Sequence, residues 1–289
     1  LSRLGSLQTL VLRENGHVGP IPNDLGNLTR LRVLDLHENN LNESIPASLG
    51  QIRGLRSLDL SGNRLTGQIP DISFPGINIM DLSQNLLGGP IPSSVGLCTS
   101  LVKMDFSRNR LSGPIPDPIV GLKDLVLMDL SFNRLAGPFP KSLKNLESLQ
   151  ALILKGNPMA STILPEDSFD GMKNLLILIL SNMNLQGPIP PSLTRLPKIR
   201  VVHLDGNNLN GSIPGSFRVS RSLSELRLND NQLSGPLPFD KDMMWKMGRK
   251  LRLYNNSGLC FKYPNDGDLT DDMMDWGIGY CGIPRPSLG

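Results

Sequence analysis

The sequence has few cysteines, little excess charge and no long apolar stretch, and each of these absences excludes a class of fold or of partner. Three cysteines in 289 residues are too few for a disulfide-rich scaffold. The 29 basic and 26 acidic residues leave a net charge of +3, which argues against a nucleic acid or an anionic membrane as partner. No stretch reaches the roughly 18 apolar residues of a membrane span, and the first residues do not form a signal peptide. The chain as given is therefore expected to be soluble.

Motifs that carry catalysis are also missing from the sequence. It contains no phosphate-binding Gly-rich loop, no nucleophile elbow and no kinase signature. The three histidines, His17, His37 and His203, belong to different repeats and are not expected to share a metal or a proton relay. The sequence therefore predicts no enzyme activity, no metal site and no cofactor.

What the sequence does contain is the repeat Leu-x-x-Leu-x-Leu-x-x-Asn, which recurs almost from end to end. Its period-two alternation of apolar residues predicts one short half-buried strand per repeat. The Asn side chain is expected to satisfy backbone groups in the turn that follows. Met183 cannot do so, and a local irregularity is predicted there. The last position of the repeat defines eleven units of about 24 residues: Asn15, Asn39, Asn63, Asn85, Asn109, Asn133, Asn157, Met183, Asn207, Asn231 and Asn256.

A second motif, Leu-x-Gly-x-Ile-Pro, follows the Asn in many units, for example at Leu111, Gly113, Ile115 and Pro116. Glycine permits unusual backbone angles and proline fixes φ, so this motif predicts a turn and a short extended segment on the outer wall. At most about one turn of helix fits before the next strand. Stacked units make an α/β solenoid with a parallel sheet on its concave face, on the order of 50 Å long at about 4.8 Å per strand. A surface of that length suits a macromolecule.

An acidic column is predicted on the concave face, four residues before the Asn in units 2 to 6. A stripe of carboxylates could attract a basic ligand or a divalent cation, but repeated Leu-Asp-Leu-Ser is also the common consensus sequence of this kind of repeat. We favour the second interpretation, because calcium needs several oxygens converging on one ion. The column comprises Asp35, Asp59, Asp81, Asp105 and Asp129.

From unit 7 onward the same column becomes apolar and then basic, and nearby strand positions change with it. Apolar side chains rimmed by charge are typical of a protein-binding surface. The long connection from 158 to 173 adjoins this region and could project a loop toward a partner, although a tolerated insertion explains it equally well. The residues predicted to bind a protein or peptide are Phe132, Ile153, Lys155, Ile177, Ile179, Arg200, His203, Arg227 and Arg252.

The two repeat motifs together resemble the plant extracellular class of leucine-rich repeats, and the non-consensus stretches LVLRENG, FNRLAGPFP and LQALILKGN resemble kinase-lacking receptor-like proteins of land plants. The resemblance runs from about residue 4 to Cys260. In that class the Gly-x-Ile-Pro segment adds a second strand and twists the solenoid. We expect the solenoid to occupy 1–258 and a C-terminal cap 259–289. The cysteine-bearing N-terminal cap usual in the family is missing, which suggests truncation, proteolysis or disorder.

Cys260 and Cys281 are expected to form a disulfide that closes the cap and would stabilise the fold by roughly 3 kcal/mol. Such a bond implies an oxidising compartment. Cys98 is left over and is expected to be a buried thiol. The segment 266–275 is acidic and is expected to be a solvated part of the cap.

Four Asn-x-Ser/Thr sequons predict N-glycosylation in a secreted protein. Asn42 and Asn210 fall in outer-wall turns where a glycan has room. Asn27 is a further candidate, whereas Asn255 lies next to the last Asn of the repeat and is expected to be less accessible.

The resemblance implies an ectodomain on the outer side of the plasma membrane that signals through partners. These would be ERECTA-type receptor-kinase ectodomains and secreted cysteine-rich patterning peptides, in a heteromer that acts in stomatal patterning. The alternatives are the ectodomain of a peptide-sensing receptor kinase and a polygalacturonase inhibitor that binds a secreted enzyme. A purely structural role in the cell wall is the least specific reading, since fold alone does not fix function.

Overall fold

The computed structural model describes residues 4–159, 163–262 and 278–282. Each repeat supplies a short strand to the concave face, and most supply a second short strand on the other side of the coil. The strands in chain order are β1 Thr9–Val11, β2 Val18–Pro20, β3 Val33–Asp35, β4 Asn40–Asn42, β5 Ser57–Asp59, β6 Ile79–Asp81, β7 Gly88–Gly89, β8 Lys103–Asp105, β9 Arg110–Gly113, β10 Leu127–Asp129, β11 Arg134–Leu135, β12 Ala151–Ile153, β13 Ile177–Ile179, β14 Gln186–Gly187, β15 Val201–His203, β16 Asn208–Gly211, β17 Glu225–Arg227, β18 Gln232–Pro236, β19 Leu251–Arg252, β20 Gly258–Phe261 and β21 Gly279–Tyr280.

The concave sheet has eleven parallel strands, one per unit, in the order β1-β3-β5-β6-β8-β10-β12-β13-β15-β17-β19. Equivalent residues pair across every junction, as Asp59 pairs with Asp81 and Met128 with Leu152. The middle residue of a typical strand is buried and its two neighbours are half-buried on the concave side. The predicted α/β solenoid with a concave parallel sheet is confirmed.

The Gly-x-Ile-Pro motif forms a second, discontinuous layer, as the sequence predicts. Its strands make three small parallel sheets, β2-β4, β7-β9-β11 and β14-β16-β18-β20-β21. Gly113 at the end of β9 has a φ of 76°, which a residue with a Cβ adopts only with strain. This layer is followed by short helices, of about one turn in most units and about two turns in α2, that return the chain to the next concave strand. They are the α-helices α1 Pro191–Thr194 and α2 Lys241–Met247, and the 3-10 helices Asn23–Asn27, Ala47–Gln51, Ser93–Leu97, Asp117–Gly121, Lys141–Asn145, Gly215–Val219 and Gly248–Lys250.

A single hydrophobic core runs the length of the solenoid between the two layers. Each unit contributes the leucines of the repeat, such as Leu55, Leu58 and Leu60, together with the Ile of Gly-x-Ile-Pro. Each coil covers the apolar face of its neighbour, so burial depends on stacking.

The Asn at the end of each repeat makes a buried ladder of hydrogen bonds between coils. The Nδ2 of Asn63 donates to the carbonyls of Leu36, Leu60 and Ser61 at 3.0 to 3.1 Å, and its Oδ1 accepts the N–H of Leu41 at 3.0 Å. Equivalent bonds recur in the neighbouring units, for example at Asn109. The predicted role of the Asn is confirmed, because its amide satisfies backbone groups of two successive coils.

The irregularity expected at Met183 lies in the outer wall, while the concave sheet continues in register through β13. Met183 is buried and cannot accept the N–H that other units offer to the next Asn. That N–H belongs to Met159, and it donates to Asn157 O at 2.8 Å instead. The turn after β12 therefore differs from the others, and the segment 163–175 returns to the sheet without a regular helix.

The cysteines take the positions that the sequence suggested. Cys98 is buried, its Sγ accepts the N–H of Phe74 at 3.4 Å, and burial raises the pKa of its thiol, so it is a protected core residue. Cys260 and Cys281 are joined by a disulfide that links β20 to β21. The acidic segment 266–275 lies outside the described residues.

Candidate protein-binding surface

The acidic column is built into the sheet through a repeated Asp-x-Ser arrangement. Asp59 Oδ1 accepts both the N–H and the Oγ–H of Ser61, at 3.0 and 2.6 Å. Asp81 and Asp105 hold Ser83 and Ser107 in the same way. These bonds satisfy the strand end locally, which supports the interpretation of the column as part of the repeat.

His37 takes the place of the serine in unit 2, and sequence analysis missed the group that it forms. Its Nδ1 lies 2.7 Å from Asp35 Oδ1 and 3.8 Å from Asp59 Oδ2, and single ligand atoms of the three residues lie within 4.8 Å of one another. The signal was available, because His37 stands beside the acidic column in sequence. The contact with Asp35 nevertheless reproduces the Asp-x-Ser bond of the other units, so the group supplies no independent sign of a metal.

Isoleucines replace the acidic column on β12 and β13 and form an apolar patch with their neighbours. Ile153 pairs directly with Ile179, and both side chains are half-buried on the concave face. Leu127 and Ile177 flank the small Ala151 on the strand between them, and we call the position of Ala151, which is 8% exposed, the notch of the patch. The structure thus brings together the three isoleucines that the sequence singled out. We call Leu127, Ala151, Ile153, Ile177 and Ile179 the apolar patch.

Phe132 and Lys155 lie beside the apolar patch, just beyond the carboxyl ends of the strands. Phe132 is 43% exposed, and Lys155 Nζ lies 5.6 Å from the centre of its ring. The Arg108 guanidinium approaches the same ring at 4.9 Å. Sequence analysis missed Arg108, although it occupies in unit 5 the position that Phe132 occupies in unit 6.

The positive charge expected on units 9 to 11 is partly neutralised by a carboxylate, which corrects the prediction of a basic region there. Glu225 Oε1 lies 2.6 Å from Arg227 and 2.9 Å from His203, so the three form one network across β15 and β17. Burial lowers the pKa of His203, although Glu225 opposes this. For Glu225, burial raises the pKa, but the bonds from His203 and Arg227 outweigh it and hold the pKa below its ordinary value. Glu225 was not predicted, although it stands two residues before Arg227, because its contact with His203 depends on strand register.

The remaining arginines of the predicted site lie on the same units as this network. Arg200 is exposed at the edge of the sheet immediately before β15, outside the three central columns, whereas Arg252 is exposed on the last concave strand and pairs in register with Arg227. Arg227 Nε and Asn229 Oδ1 are buried and lack a hydrogen-bond partner among the described residues. The basic residues are therefore grouped on units 9 to 11, with Glu225 among them.

The sequons lie away from the apolar patch. Asn42 and Asn210 are exposed on β4 and β16 of the outer layer, and Asn27 is exposed at the end of a 3-10 helix. Asn255 is exposed as well, contrary to the expectation of poor access, but its Nδ2 donates to Asp230 at 2.6 Å. These asparagines leave the apolar patch free of sequons.

Within the described part of the chain, no helix has the length and apolar character needed to cross a bilayer. The leucine rich repeat family models match residues 5–65, 100–122, 124–146 and 198–219. These matches cover units of both the acidic column and the C-terminal half.

Comparison with known proteins places the chain among plant proteins. It is 63% identical over 272 residues to Protein TOO MANY MOUTHS of Arabidopsis thaliana, a match that covers 94% of this chain and 54% of that protein. The chain thus spans about half the length of this relative.

Solved structures give the same result for the fold. A TDR receptor matches with a TM-score of 0.80 at 30% identity, covering 90% of this chain and 44% of that one. The ectodomain of the Arabidopsis receptor kinase HAESA, solved with an IDA peptide hormone, matches with a TM-score of 0.75 at 30% identity, covering 90% and 48%. The chain belongs to the leucine-rich-repeat family and closely resembles the plant receptor-like protein TOO MANY MOUTHS.

Proposed function

We propose that this chain is the recognition ectodomain of a kinase-lacking receptor-like protein on the outer side of the plasma membrane. It pairs with an ERECTA-type receptor-kinase ectodomain and, in that heteromer, recognises secreted cysteine-rich patterning peptides in stomatal patterning. Its role is binding, and no catalysis or cofactor is assigned to it.

The change of the concave face at unit 7 is the observation that carries this proposal. Units 3 to 6 satisfy the column locally with Asp-x-Ser and unit 2 with Asp-x-His, whereas Ile153 and Ile179 leave apolar surface facing the concavity. An apolar side chain at a water-facing position has no role in the core, which is already filled by the leucines. Apolar surface rimmed by charge fits a protein or peptide partner.

The comparisons support the class of ligand. The HAESA structure contains a peptide hormone, and another neighbour with a TM-score of 0.64 is PEPR1 solved with AtPEP1. The 63% identity to TOO MANY MOUTHS supports a receptor-like protein. The specific partners rest on the sequence resemblance.

A rigid solenoid lowers the entropic cost of recognition. The concave strands are fixed by the buried Asn ladder, so few backbone conformations are lost when a ligand binds. One ectodomain can then supply half of a composite site, and the choice of peptide depends on the pair.

Calorimetric titration of the chain against an ERECTA-family ectodomain, with and without a patterning peptide, tests the proposal. We expect saturable binding of the two ectodomains and tighter peptide binding by the pair than by either alone. Ile179→Asp should weaken binding by at least about tenfold, roughly 1.4 kcal/mol, because it introduces a carboxylate into the apolar patch. The variant should fold, since it recreates with Ser181 the Asp-x-Ser motif of units 3 to 6.

Ile79→Asp is the matched control. Ile79 is 40% exposed on β6, in the acidic half of the same sheet, so the same substitution should leave binding unchanged. Absence of any complex at high micromolar concentration would contradict the proposed pairing. Equal losses from the two variants would contradict the placement of the site.

A second candidate is the ectodomain of a peptide-sensing receptor kinase, which is favoured by the TDR and HAESA matches. In that case the chain binds a peptide by itself, without an ERECTA-type partner. Calorimetric titration with the peptide alone distinguishes the two candidates. Heat of peptide binding in the absence of the second ectodomain would identify the peptide-sensing receptor kinase. Binding to a secreted polygalacturonase in place of any peptide would instead identify an enzyme inhibitor.

A further inference from the structure

Phe132 adopts a backbone conformation that large apolar residues rarely accept. Its φ is 54°, in the left-handed region. The equivalent position in the other units holds only glycine or a polar or charged residue, as at Gly62, Arg108 and Asn182. The ring is 43% exposed and lies outside the core, so core packing does not account for an aromatic residue here.

The ring is nevertheless held in a defined place. It lies over Gly156, where an added Cβ would come within 3.0 Å of Phe132 Cδ1. Arg108 and Lys155 flank it at 4.9 and 5.6 Å, distances at which a cation is attracted to an aromatic face. A side chain larger than glycine at position 156 would displace the ring.

Two more arginines extend this feature along the edge of the solenoid. Arg110 and Arg134 are exposed immediately after the Asn of units 5 and 6. In the described part of the chain, no ion pair involves any of the four cations Arg108, Arg110, Arg134 and Lys155. We call these four residues and Phe132 the Phe132 ridge.

We propose that the Phe132 ridge binds an acidic segment of a protein partner. Carboxylates of that segment meet the four cations, and an apolar or aromatic side chain packs on Phe132 where it borders the apolar patch. The inference rests on the proposed function, because the ridge adjoins the proposed site, and it adds the chemistry of the segment that is recognised.

Charge complementarity selects an acidic partner. The four positive charges lie on the three adjacent coils of units 5 to 7 and repel one another. An anionic partner relieves that repulsion. The exposed ring selects a protein segment over an acidic polysaccharide, since a sugar acid provides carboxylates without an aromatic or aliphatic side chain to cover Phe132. Asp105 and Asp129 of the acidic column lie on the same coils as Arg108 and Phe132, and they disfavour a long polyanion such as nucleic acid at this edge.

Fluorescence anisotropy with a short labelled peptide of Asp, Glu, Phe and Ser tests the proposal at low ionic strength. Two further probes are its amide analogue, with Asn and Gln in place of the acids, and an oligogalacturonate. We expect the acidic peptide to bind at least about tenfold more tightly than its amide analogue. Arg108→Glu, Lys155→Glu and Phe132→Asn should each weaken binding by about the same factor.

The variants are chosen to fold. Phe132→Asn places at the left-handed position the residue type that unit 8 carries at Asn182. Arg32→Glu is the matched control, because Arg32 is exposed on the opposite edge of the sheet, before β3, and should leave binding unchanged.

Equal binding of the acidic peptide by the three ridge variants and the parent would overturn the inference. Oligogalacturonate binding as tight as that of the peptide, unaffected by Phe132→Asn, would overturn it in favour of a polyanion site. The ridge assay uses the chain by itself, without an ERECTA-type ectodomain. A failed titration with the ERECTA-type ectodomain alongside a successful ridge assay therefore rejects the proposed partner and retains the ridge.

Discussion

Units 2 to 6 and units 7 to 9 share one sheet and one core but present different concave faces. In both regions the strands pair in register, the leucines are buried and the ladder Asn bonds two coils. In the first region Asp105 and its equivalents hold a serine, and in the second Ile153 and Ile179 face solvent. Buried positions therefore specify the solenoid. The concave positions that alternate with them vary without cost to the fold and are available to bind a partner.

Removing the ladder amide should have the largest effect in both regions. Asn133→Ala removes the bond of the Leu111 N–H and one of the two side-chain bonds that the Phe106 carbonyl accepts. Asn207→Ala removes the bonds of two N–H groups, those of Met183 and Leu185, and a bond to the Leu180 carbonyl. Because each buried unsatisfied group costs about 1–3 kcal/mol, we expect urea unfolding to show a loss of about 1–3 kcal/mol for Asn133→Ala and a larger loss for Asn207→Ala.

Arg134→Ala is the control for the ladder variants. Arg134 is exposed on β11, so its removal should change the free energy of unfolding by no more than about 0.5 kcal/mol. Loss of stability in only one of the two ladder variants would contradict a common scaffold for the two regions.

Filling the notch of the apolar patch should weaken binding without affecting the fold. Ala151 lies between Leu127 and Ile177 on the concave sheet, and Ala151→Leu extends a side chain into the notch. If a partner side chain occupies the notch, affinity should fall by about tenfold, as measured by titration with the proposed partners. Ser57→Leu, on the equivalent position of the acidic region, should have no effect on affinity. Unchanged affinity of the Ala151 variant would exclude the notch from the interface.

The two regions should respond to acid in opposite directions. Burial raises the pKa of Asp105, so ionising its carboxyl destabilises the fold, and this penalty appears as pH rises through the folded-state pKa. Lowering the pH therefore relieves it. Burial lowers the pKa of His203, so stability is lost as pH falls below the ordinary histidine value of 6.5. Glu225, with a lowered pKa, adds a further loss below its ordinary value of 4.5.

Hydrogen exchange from about pH 7 to about pH 5, corrected for the intrinsic rate, measures this difference. The free energy of opening of β15 should fall relative to that of β8. The difference should be less than about 1.4 kcal/mol, since solvent screens half-buried groups. His203→Gln should abolish most of the β15 response and leave β8 unchanged. A parallel response of β8 and β15 would contradict the assignment.

The smallest effect is expected from the sequons, which lie on the outer wall in both regions. Asn42→Gln and Asn210→Gln should each remove one glycan from secreted protein, as seen by mass spectrometry. Because both side chains are exposed, the free energy of unfolding should change by no more than about 0.5 kcal/mol. An unchanged mass for either variant would show that its sequon is unused.

Much of the fold could be predicted from the sequence, because the repeat motif and its spacing are visible in the order of the residues. The ladder role of Asn63 and the buried thiol of Cys98 follow from residue type and position. The site was predictable in part. Ile153 and Ile179 stand out in sequence because they interrupt a column of aspartates. Glu225 and Arg108 did not, because His203 and Phe132, which they contact, belong to adjacent coils.

The sequence by itself determined the solenoid, the number of coils, the acidic column and the point at which it ends. These features depend on spacing along the chain, and period-two strands with a fixed repeat place equivalent residues side by side. Only the tertiary structure decided which charges are free. Glu225 contacts His203 on the adjacent strand as well as Arg227 on its own strand, whereas Arg108 lies against Phe132, whose left-handed backbone turns its ring out of the core. Stacking of coils creates the contacts of Glu225 with His203 and of Arg108 with Phe132, because the residues of each pair belong to different repeats, 22 and 24 residues apart.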